Sequence, residues 1–245
     1  MPGTGRVVLV GGGPGADDLI TVRGLRALQS ADVVVADRLA PRGLLVGLRA
    51  EIIDVGKTPY HHPVPQAEIN ALLVDHARAG RAVVRLKGGD PFLLGRGGEE
   101  VAACRAAGVE VEVVPGVSSA IAAPAAAGIP VTHRGVAQGL LVISGHDELS
   151  PAFLAAWPHT LVVLMGMARL AELTAGLLRA GKPAATPAAV VQRAWGAGQR
   201  VVRAPLAELP ARVTKTQLAN PAVIVIGPVA ALGAELGEVV DAAVA

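Results

Sequence analysis

Short apolar runs alternate with helix-like patterns along the first half of the chain, and this predicts alternating strands and helices. Helices are expected to begin at Thr21, Pro65 and Gly97, and glycines are expected to end the last two, at Gly80 and Gly108. The predicted strands are Val7–Val10, Val33–Val35, Ala82–Leu86 and Val109–Val114. Because these strands are unbroken and rich in valine, we expect a parallel sheet that is buried on both faces.

The first predicted helix has a candidate cap and a candidate inward face. The hydroxyl of Thr21 can accept a hydrogen bond from a backbone N–H of the first turn, so we expect Thr21 to be the N-cap. Val22, Leu25 and Leu28 follow at helical spacing, and we expect them to face the core.

The second half has shorter and more numerous strands, and it is predicted to form a domain of its own. Its predicted strands are 140–143, 161–165, 188–191, 200–203 and 222–226, with helices near 151–157, 167–180 and 206–213. The alternation of strands and helices predicts the α/β fold class. Proline and glycine interrupt the strand and helix patterns near 128–137, so we expect two domains, at 1–132 and 133–245. Such folds bind ligands in clefts between domains and beyond the carboxyl ends of strands.

The composition favours a folded protein with no nucleic-acid partner. Of the 245 residues 52% are hydrophobic and 17% are charged, which excludes a disordered polar chain. Aromatic residues make up 2%, too few for a platform on which single-stranded nucleic acid would stack. A formal charge of +2 is too small to indicate binding to nucleic acid.

Cysteine content and apolar runs predict a cytoplasmic protein. Cys104 is the one cysteine, so no internal disulfide can form, and its alanine-rich surroundings predict a buried, inert thiol. The first residues lack the pattern of an export signal. The uncharged run 113–132 contains three prolines and would insert poorly into a membrane, so no membrane partner is expected.

A glycine loop after the first strand has the outline of a dinucleotide-binding fingerprint. Residues 11–16 fit G-x-G-x-x-A, and Asp37 ends the next strand. However, Pro14 removes an N–H from the loop, and carboxylates at 17–18 would oppose a diphosphate. The helix cap at Thr21 also comes later than the fingerprint requires. A NAD-dependent oxidoreductase is therefore an alternative, but a disfavoured one.

A ligand that combines adenosine with a cation fits this loop better than a dinucleotide. Glycine lets the backbone approach a flat adenosine closely. Asp90, in a second glycine loop, can accept hydrogen bonds from a ribose or an ammonium group. The same segment, 88–91, is also compatible with an ordinary turn, because its residues are all turn formers.

Several segments in order resemble the tetrapyrrole methyltransferase family, and the resemblance extends over nearly the whole chain. The matching stretches are 10–15, 19–21, 31–39, 56–57 with 65–70, 85–92, 95–100, 115–120, 128–134, 164–166 and 219–222. The resemblance implies two α/β domains, a homodimer, and S-adenosylmethionine (SAM) bound between the domains. It implies two successive methylations of uroporphyrinogen III, giving precorrin-2 and S-adenosylhomocysteine.

Carried over position by position, the resemblance also implies the roles of individual residues. Asp37 falls on the family's proton-acceptor position and Lys57 on its proton-donor position, although Lys57 could equally pair with a substrate carboxylate. Thr132-His133-Arg134 falls where the porphyrinogen should lie. The implied SAM-binding residues are Pro14, Gly88, Gly89, Asp90, Leu93, Ser118, Ser119, Met165, Ala194 and Ala222.

The substrate carries eight carboxylates, which call for cations, and Arg38, Lys57, His133 and Arg134 are the candidates. The chain departs from the family at three places: Gly15-Ala16-Asp17, Ser118-Ser119 and Ala194-Trp195. His61-His62 resembles half of a metal site, but no third ligand lies at a characteristic spacing, so no metal is expected.

Three alternatives stay open beside this activity. One is a methyltransferase for a later corrin intermediate, another is the oxidoreductase, and the third is a catalytically silent dimer module. The sequence does not show whether the product goes to sirohaem, to cobalamin or to another modified tetrapyrrole. Glu99 and Glu100 are too close in sequence to face one point, and we expect both to complement the dipole of their helix.

Overall fold

The structure is a computed structural model, and it describes residues 5–56, 64–147 and 149–236. The chain divides into two compact units, Met1–Ser118 and Ser119–Ala245. The sequence-based boundary at 132/133 falls inside the second unit. The reason is that the helix at Ser119–Ala126 packs on strands of the second sheet.

The first unit contains a parallel five-stranded sheet, in agreement with the sequence-based expectation. Its strands are β1 (Arg6–Gly11), β2 (Val33–Ala36), β3 (Glu51–Asp54), β4 (Ala82–Lys87) and β5 (Glu110–Val114). They lie in the order β3-β2-β4-β1-β5, and all four pairings are parallel. Its helices are α1 (Val22–Gln29), α2 (Gln66–Arg78) and α3 (Gly97–Ala106). The edge strand β3 was not predicted.

Apolar side chains cover both faces of this sheet. One face, with Leu9 and Val35, packs against α2 through Leu73. The opposite face, with Val10 and Val34, packs against Leu28 of α1. Burial on both faces explains why the central strands are dominated by valine and leucine.

The cap predicted for α1 is confirmed, but the predicted inward face is wrong. The Thr21 hydroxyl accepts the Gly24 N–H at 3.1 Å. Leu28 is buried as expected, whereas Val22 is 65% exposed and Leu25 is also exposed. The helix instead turns Gly24 toward the sheet, where a Cβ would lie 2.8 Å from Cγ1 of Val10.

The second unit contains a mixed sheet. Its strands are β6 (Leu140–Ser144), β7 (Thr160–Leu164), β8 (Pro187–Gln192), β9 (Arg200–Pro205) and β10 (Ala222–Ile226), in the order β6-β7-β10-β8-β9. Only the β6–β7 pair is parallel; β10 runs antiparallel to β7 and β8, and β9 runs antiparallel to β8. All five strands match sequence-based predictions.

Helices cover the second sheet as well. They are α4 (Ser119–Ala126), α5 (Pro151–Ala156), α6 (Leu170–Arg179), α7 (Leu209–Thr216) and α8 (Val229–Leu236). Buried Leu154, Leu177 and Leu209 of α5, α6 and α7 form one core with Val163 and Ile224 of the sheet. The sequence analysis did not predict α4 or α8. Within the described ranges, no helix has the length and apolar character needed to cross a membrane.

Candidate active site

Seven of the predicted site residues lie along one edge of the first sheet. Since β1, β2, β4 and β5 are parallel, their carboxyl ends meet at this edge. Pro14 follows β1, Asp37 follows β2, Gly88–Asp90 and Leu93 follow β4, and Ser118 follows β5. The fold therefore gathers these residues where open α/β sheets bind their ligands.

Glycines allow the loops at this edge to pack closely. Gly13 and Gly89 form an isolated bridge, in which the Gly89 N–H donates to the Gly13 carbonyl at 2.7 Å. A Cβ on Gly11 would lie 2.5 Å from Cα of Gly116, and one on Gly116 would lie even closer to the Gly89 carbonyl oxygen. Any side chain at Gly11 or Gly116 would force the loops apart.

Asp90 joins the loop after β4 to the loop after β5. Its Oδ1 accepts the Phe92 N–H at 2.8 Å, and its Oδ2 accepts the Gly116 N–H at 3.0 Å. Each carboxylate oxygen can accept more than one hydrogen bond, so ligand contact is compatible with this bracing. The contact itself stays a prediction.

Asp37 presents a carboxylate at the same edge. Its backbone N–H donates to the Leu86 carbonyl at 3.0 Å, and its side chain is 31% exposed. Oδ1 accepts from Nη2 of Arg85 at 2.5 Å, while Oδ2 lies 3.7 Å from Nζ of Lys87. One oxygen is thus held firmly by a guanidinium, and the other has a looser ionic contact.

Arg85, Lys87 and Glu100 form a buried charge cluster behind Asp37. Oε1 of Glu100 accepts from Nε of Arg85 at 3.0 Å and from Nζ of Lys87 at 3.1 Å. It also accepts from Nε2 of Gln66 at 3.2 Å. Glu100 has no exposed surface, and removing one partner from such a buried pair typically costs about 3–5 kcal/mol.

The sequence analysis missed this cluster and misread Glu100. Only Glu99 behaves as expected of a first-turn carboxylate: it is exposed and pairs with Arg96, whose hydrogen bond holds the pKa of Glu99 below its ordinary value. Glu100 instead points into the core. A signal was available, because Arg85 and Lys87 lie two residues apart on one face of a buried strand and need a buried carboxylate.

In the second unit, the register of the sheet brings three predicted cofactor residues to one edge. Ala222 begins β10 and pairs with Gln192, the last residue of β8, while Val223 pairs with Leu164, the last residue of β7. Met165 follows β7 directly, and Ala194 lies two residues beyond β8. Ala194 is itself buried, whereas Met165 is 41% exposed. Ser119 begins α4, the first helix of this unit.

Strained backbone is concentrated in the loops that carry these predicted residues. Among the described residues, six that are not glycine have a φ in the left-handed region, which disfavours side chains. Leu94 and Arg96 follow β4, Met165 follows β7, and Arg193 and Trp195 flank Ala194 after β8. The sixth, Gln217, ends α7. Such strain recurs at ligand-binding sites, where the surrounding structure maintains it.

Large apolar side chains are exposed in the loops after β2, β4 and β7. Leu39 after β2, Phe92 and Leu94 after β4, and Met165 after β7 are all exposed, Phe92 by 60%. Exposed apolar surface of this kind is suited to the flat faces of a nucleoside or a macrocycle.

The residues predicted to meet the porphyrinogen lie beside a surface groove of the second unit. The groove encloses about 330 Å³ and is lined by Thr132, His133, Arg134, Ala137 and Gln138. His133 pairs with Ala137 across a tight turn, and both His133 and Arg134 are exposed. Arg38, another of the predicted cation positions, is exposed in the first unit.

Some predicted positions lie outside the described residues: Lys57, and His61-His62 of the weighed metal site. In the part of the chain that the structure does describe, no group of three metal-ligating side chains is found.

The chain thus combines a parallel α/β unit whose loops are rich in glycine with a mixed α/β unit whose loops carry strained backbone. The family model "Tetrapyrrole (Corrin/Porphyrin) Methylases" matches residues 6–210. The chain belongs to this family, as the resemblance in the sequence predicted.

Curated relatives and solved structures give the same assignment. Siroheme synthase of Tolumonas auensis is 49% identical over 235 residues, which cover 93% of this chain and 50% of that protein. The chain thus spans about half the length of the curated relatives it matches. Uroporphyrin-III C-methyl transferase of Thermus thermophilus, complexed with S-adenyl homocysteine, is 42% identical with a TM-score of 0.81. That match covers 93% of this chain and 100% of the solved one.

A more distant member has the same fold. Cobalt precorrin-4 methyltransferase, a cobalamin biosynthetic enzyme, is 27% identical with a TM-score of 0.83, and the match covers 92% of this chain and 95% of the other. The fold therefore does not distinguish between tetrapyrrole substrates, and the sequence identity to the uroporphyrin enzyme is higher, at 42%.

Proposed function

We propose that this chain is a SAM-dependent C-methyltransferase that converts uroporphyrinogen III to precorrin-2 by two successive methylations. The observation that carries the proposal is the similarity to the Thermus thermophilus enzyme, which spans the whole of that chain at 42% identity. The name of the longer relatives supports sirohaem as the destination of the product.

The residues present fit SAM as the methyl donor. The donor would supply a methyl group bound to a sulfonium, with a neutral thioether as leaving group. Gly88, Gly89 and Asp90 offer backbone and carboxylate groups for its polar parts. Leu93 and the exposed Met165 offer apolar surface. Pro14, Ser118, Ser119, Ala194 and Ala222 complete the proposed set.

Orientation provides most of the rate enhancement in this proposal. The β-carbon of an electron-rich pyrrole is already nucleophilic, so little acid catalysis is needed for transfer. Holding reactants in near-attack geometry can contribute about 7–11 kcal/mol. The braced loops at the edge of the first sheet are suited to this, since Asp90 and the glycine contacts fix their positions.

Asp37 would accept the proton that the macrocycle loses after methylation. Its carboxylate is partly exposed at the sheet edge; Arg85 fixes one oxygen, and the other lies 3.7 Å from Nζ of Lys87. A positioned carboxylate of this kind typically contributes about 10²–10⁴-fold to a rate. Lys57 would donate a proton or pair with a substrate carboxylate.

Arg38, His133 and Arg134 would bind carboxylates of the macrocycle. Arginine forms bidentate hydrogen bonds to carboxylates, and His133 and Arg134 line a groove. Because the residues are exposed, their ion pairs would contribute to recognition more than to affinity.

We also propose that the protein acts as a homodimer in the cytoplasm. Exposed Val46 and Ile52, the latter on the edge strand β3, support a partner surface in the first unit. The single cysteine is typical of a reducing compartment. Light scattering of the purified chain would test the dimer.

The activity is tested by anaerobic incubation with uroporphyrinogen III and SAM. We expect a product that is heavier by two methyl groups, together with two equivalents of S-adenosylhomocysteine, measured by mass spectrometry. Asp37→Asn should lower the rate at least about tenfold without weakening S-adenosylhomocysteine binding. Asp75→Asn is the matched control, since Asp75 is an exposed carboxylate on α2 and lies outside the loops at the sheet edge.

The similarity to cobalt precorrin-4 methyltransferase favours a second candidate, a methyltransferase for a later corrin intermediate. Methylation of such an intermediate, with no mass gain on uroporphyrinogen III, would decide for it. A thermal shift with NADH but none with S-adenosylhomocysteine would contradict both candidates.

A further inference from the structure

Glu100 is a buried carboxylate for which the proposed reaction has given no role. All three of its hydrogen bonds end on one oxygen, Oε1, and come from Arg85, Lys87 and Gln66. The other oxygen, Oε2, is buried and has no hydrogen-bond partner. Glu100 balances the buried charges of Arg85 and Lys87, but that balance does not explain why all of these hydrogen bonds end on one of its two oxygens.

The contacts of Lys87 connect Glu100 to Asp37. Lys87 is buried, and its ammonium lies 3.1 Å from Oε1 of Glu100 and 3.7 Å from Oδ2 of Asp37. Among the ion pairs of the described residues, these are the two that Lys87 makes. If Glu100 carried no charge, Asp37 would be the remaining carboxylate for this buried cation.

We propose that Glu100 is a positioning residue that holds Lys87 away from Oδ2 of Asp37. Arg85 fixes Oδ1, so Oδ2 is the oxygen that can accept a proton. The charge of Glu100 draws Lys87 away, so that Oδ2 stays available to accept a proton from the macrocycle. The two cations and two carboxylates of the cluster balance one another. This inference rests on the proposed function, in which Asp37 is the proton acceptor.

The test is Glu100→Gln, compared with Glu99→Gln as a matched control. Glu99 is the neighbouring residue on the same helix, but it is exposed and pairs with Arg96. In E100Q, Lys87 should close on Asp37. We expect kcat to fall at least about tenfold, with unchanged KM for both substrates and unchanged S-adenosylhomocysteine affinity. E99Q should match the wild-type enzyme.

A second substitution separates positioning from a purely structural role. Lys87→Met in the E100Q background removes the cation that would cover Oδ2 and restores charge balance, with Asp37 and Arg85 remaining. We expect kcat of this double variant to recover to within about threefold of wild type, a change of less than 1 kcal/mol. If E100Q does not fold, Glu100→Asp supplies the same comparison, because its shorter carboxylate releases Lys87 in part.

The outcomes are distinct. Wild-type kcat in E100Q, or a double variant as slow as E100Q, would overturn the inference while the proposed function stands. If wild type and E99Q both fail to methylate uroporphyrinogen III, the proposed function is wrong and the inference falls with it. A reduced kcat in E100Q, together with recovery of kcat in the double variant, supports both the inference and the proposed function.

Discussion

Asp90 combines two tasks in one side chain, the bracing of two loops and the proposed binding of SAM. Asp90→Ala removes the acceptors for the Phe92 and Gly116 N–H groups. We expect S-adenosylhomocysteine affinity to fall at least about tenfold, because hydrogen bonds to a charged group contribute about 1.5–3 kcal/mol each. Calorimetric titration measures the affinity, with Asp75→Ala on the exposed side of α2 as the control. A larger effect on the KM of the tetrapyrrole than on this affinity would contradict the assignment.

The rate at which a reagent labels the thiol of Cys104 reports on the stability of the first unit. Burial raises the pKa of its thiol, and the nearby charge of Glu100 raises it further. At pH 8 the native thiol is therefore protonated as well as inaccessible, and we expect labelling by a thiol reagent to be at least about 100-fold slower than in denaturant. As the one cysteine of the chain, it has no competitor. Rapid labelling of native protein would contradict its burial.

For single residues, the sequence predicted where a residue lies along the elements better than which side chains it contacts. Asp37 and Asp90 could be selected because each follows a strand in a recognisable segment. The link between Arg85 and Glu100 could not, because it depends on how α3 lies across β4, and no local pattern specifies that orientation. The same limit applies to Glu99 and Glu100, of which only one faces the core.

Strands and helices could be predicted from the hydrophobic pattern where that pattern was long or unbroken. The strands of both sheets were predicted, and only the short, half-exposed edge strand β3 was missed. The face of α1 was predicted wrongly because apolar residues were assumed to face inward. Close approach of the helix to β1 instead selects the residue without a side chain, Gly24.

Two helix glycines should respond oppositely to alanine. Gly176→Ala in α6 places a Cβ 3.6 Å from Pro151, an ordinary contact, so improved helix propensity should stabilise the protein by about 0.5–1 kcal/mol. Gly24→Ala in α1 places a Cβ 2.8 Å from the buried Val10 and should destabilise it by about 1 kcal/mol. Denaturant unfolding measures both, and the same sign for the two variants would contradict the packing described for α1.

At the scale of the whole molecule, recognition of a polyanion predicts sensitivity to salt. Arg134→Ala should raise the KM for uroporphyrinogen III about three- to fivefold at low ionic strength, as expected for an exposed ion pair. The difference from wild type should shrink as salt is added, because exposed charges are screened. Steady-state kinetics over a salt series measures this, with Arg105→Ala, on the exposed side of α3, as the control. A difference that does not depend on salt would contradict the role in charge pairing.

The fold class and the family were available from the sequence because ordered motifs extend over both units. The division of the chain was harder to predict. Residues 113–132 form one uncharged, alanine-rich run, and no change in pattern marks where α4 joins the second sheet. Which sheet receives a helix is decided by packing over long sequence distances, here between α4 and β10.

The left-handed backbone at Met165 and Arg193 has a consequence for attempts to engineer the enzyme. A side chain in that conformation costs about 1–2 kcal/mol relative to glycine. A screen for heat resistance alone would therefore enrich glycine at both positions. If these loops shape the donor site, the glycine variants selected by that screen would be more stable but less active.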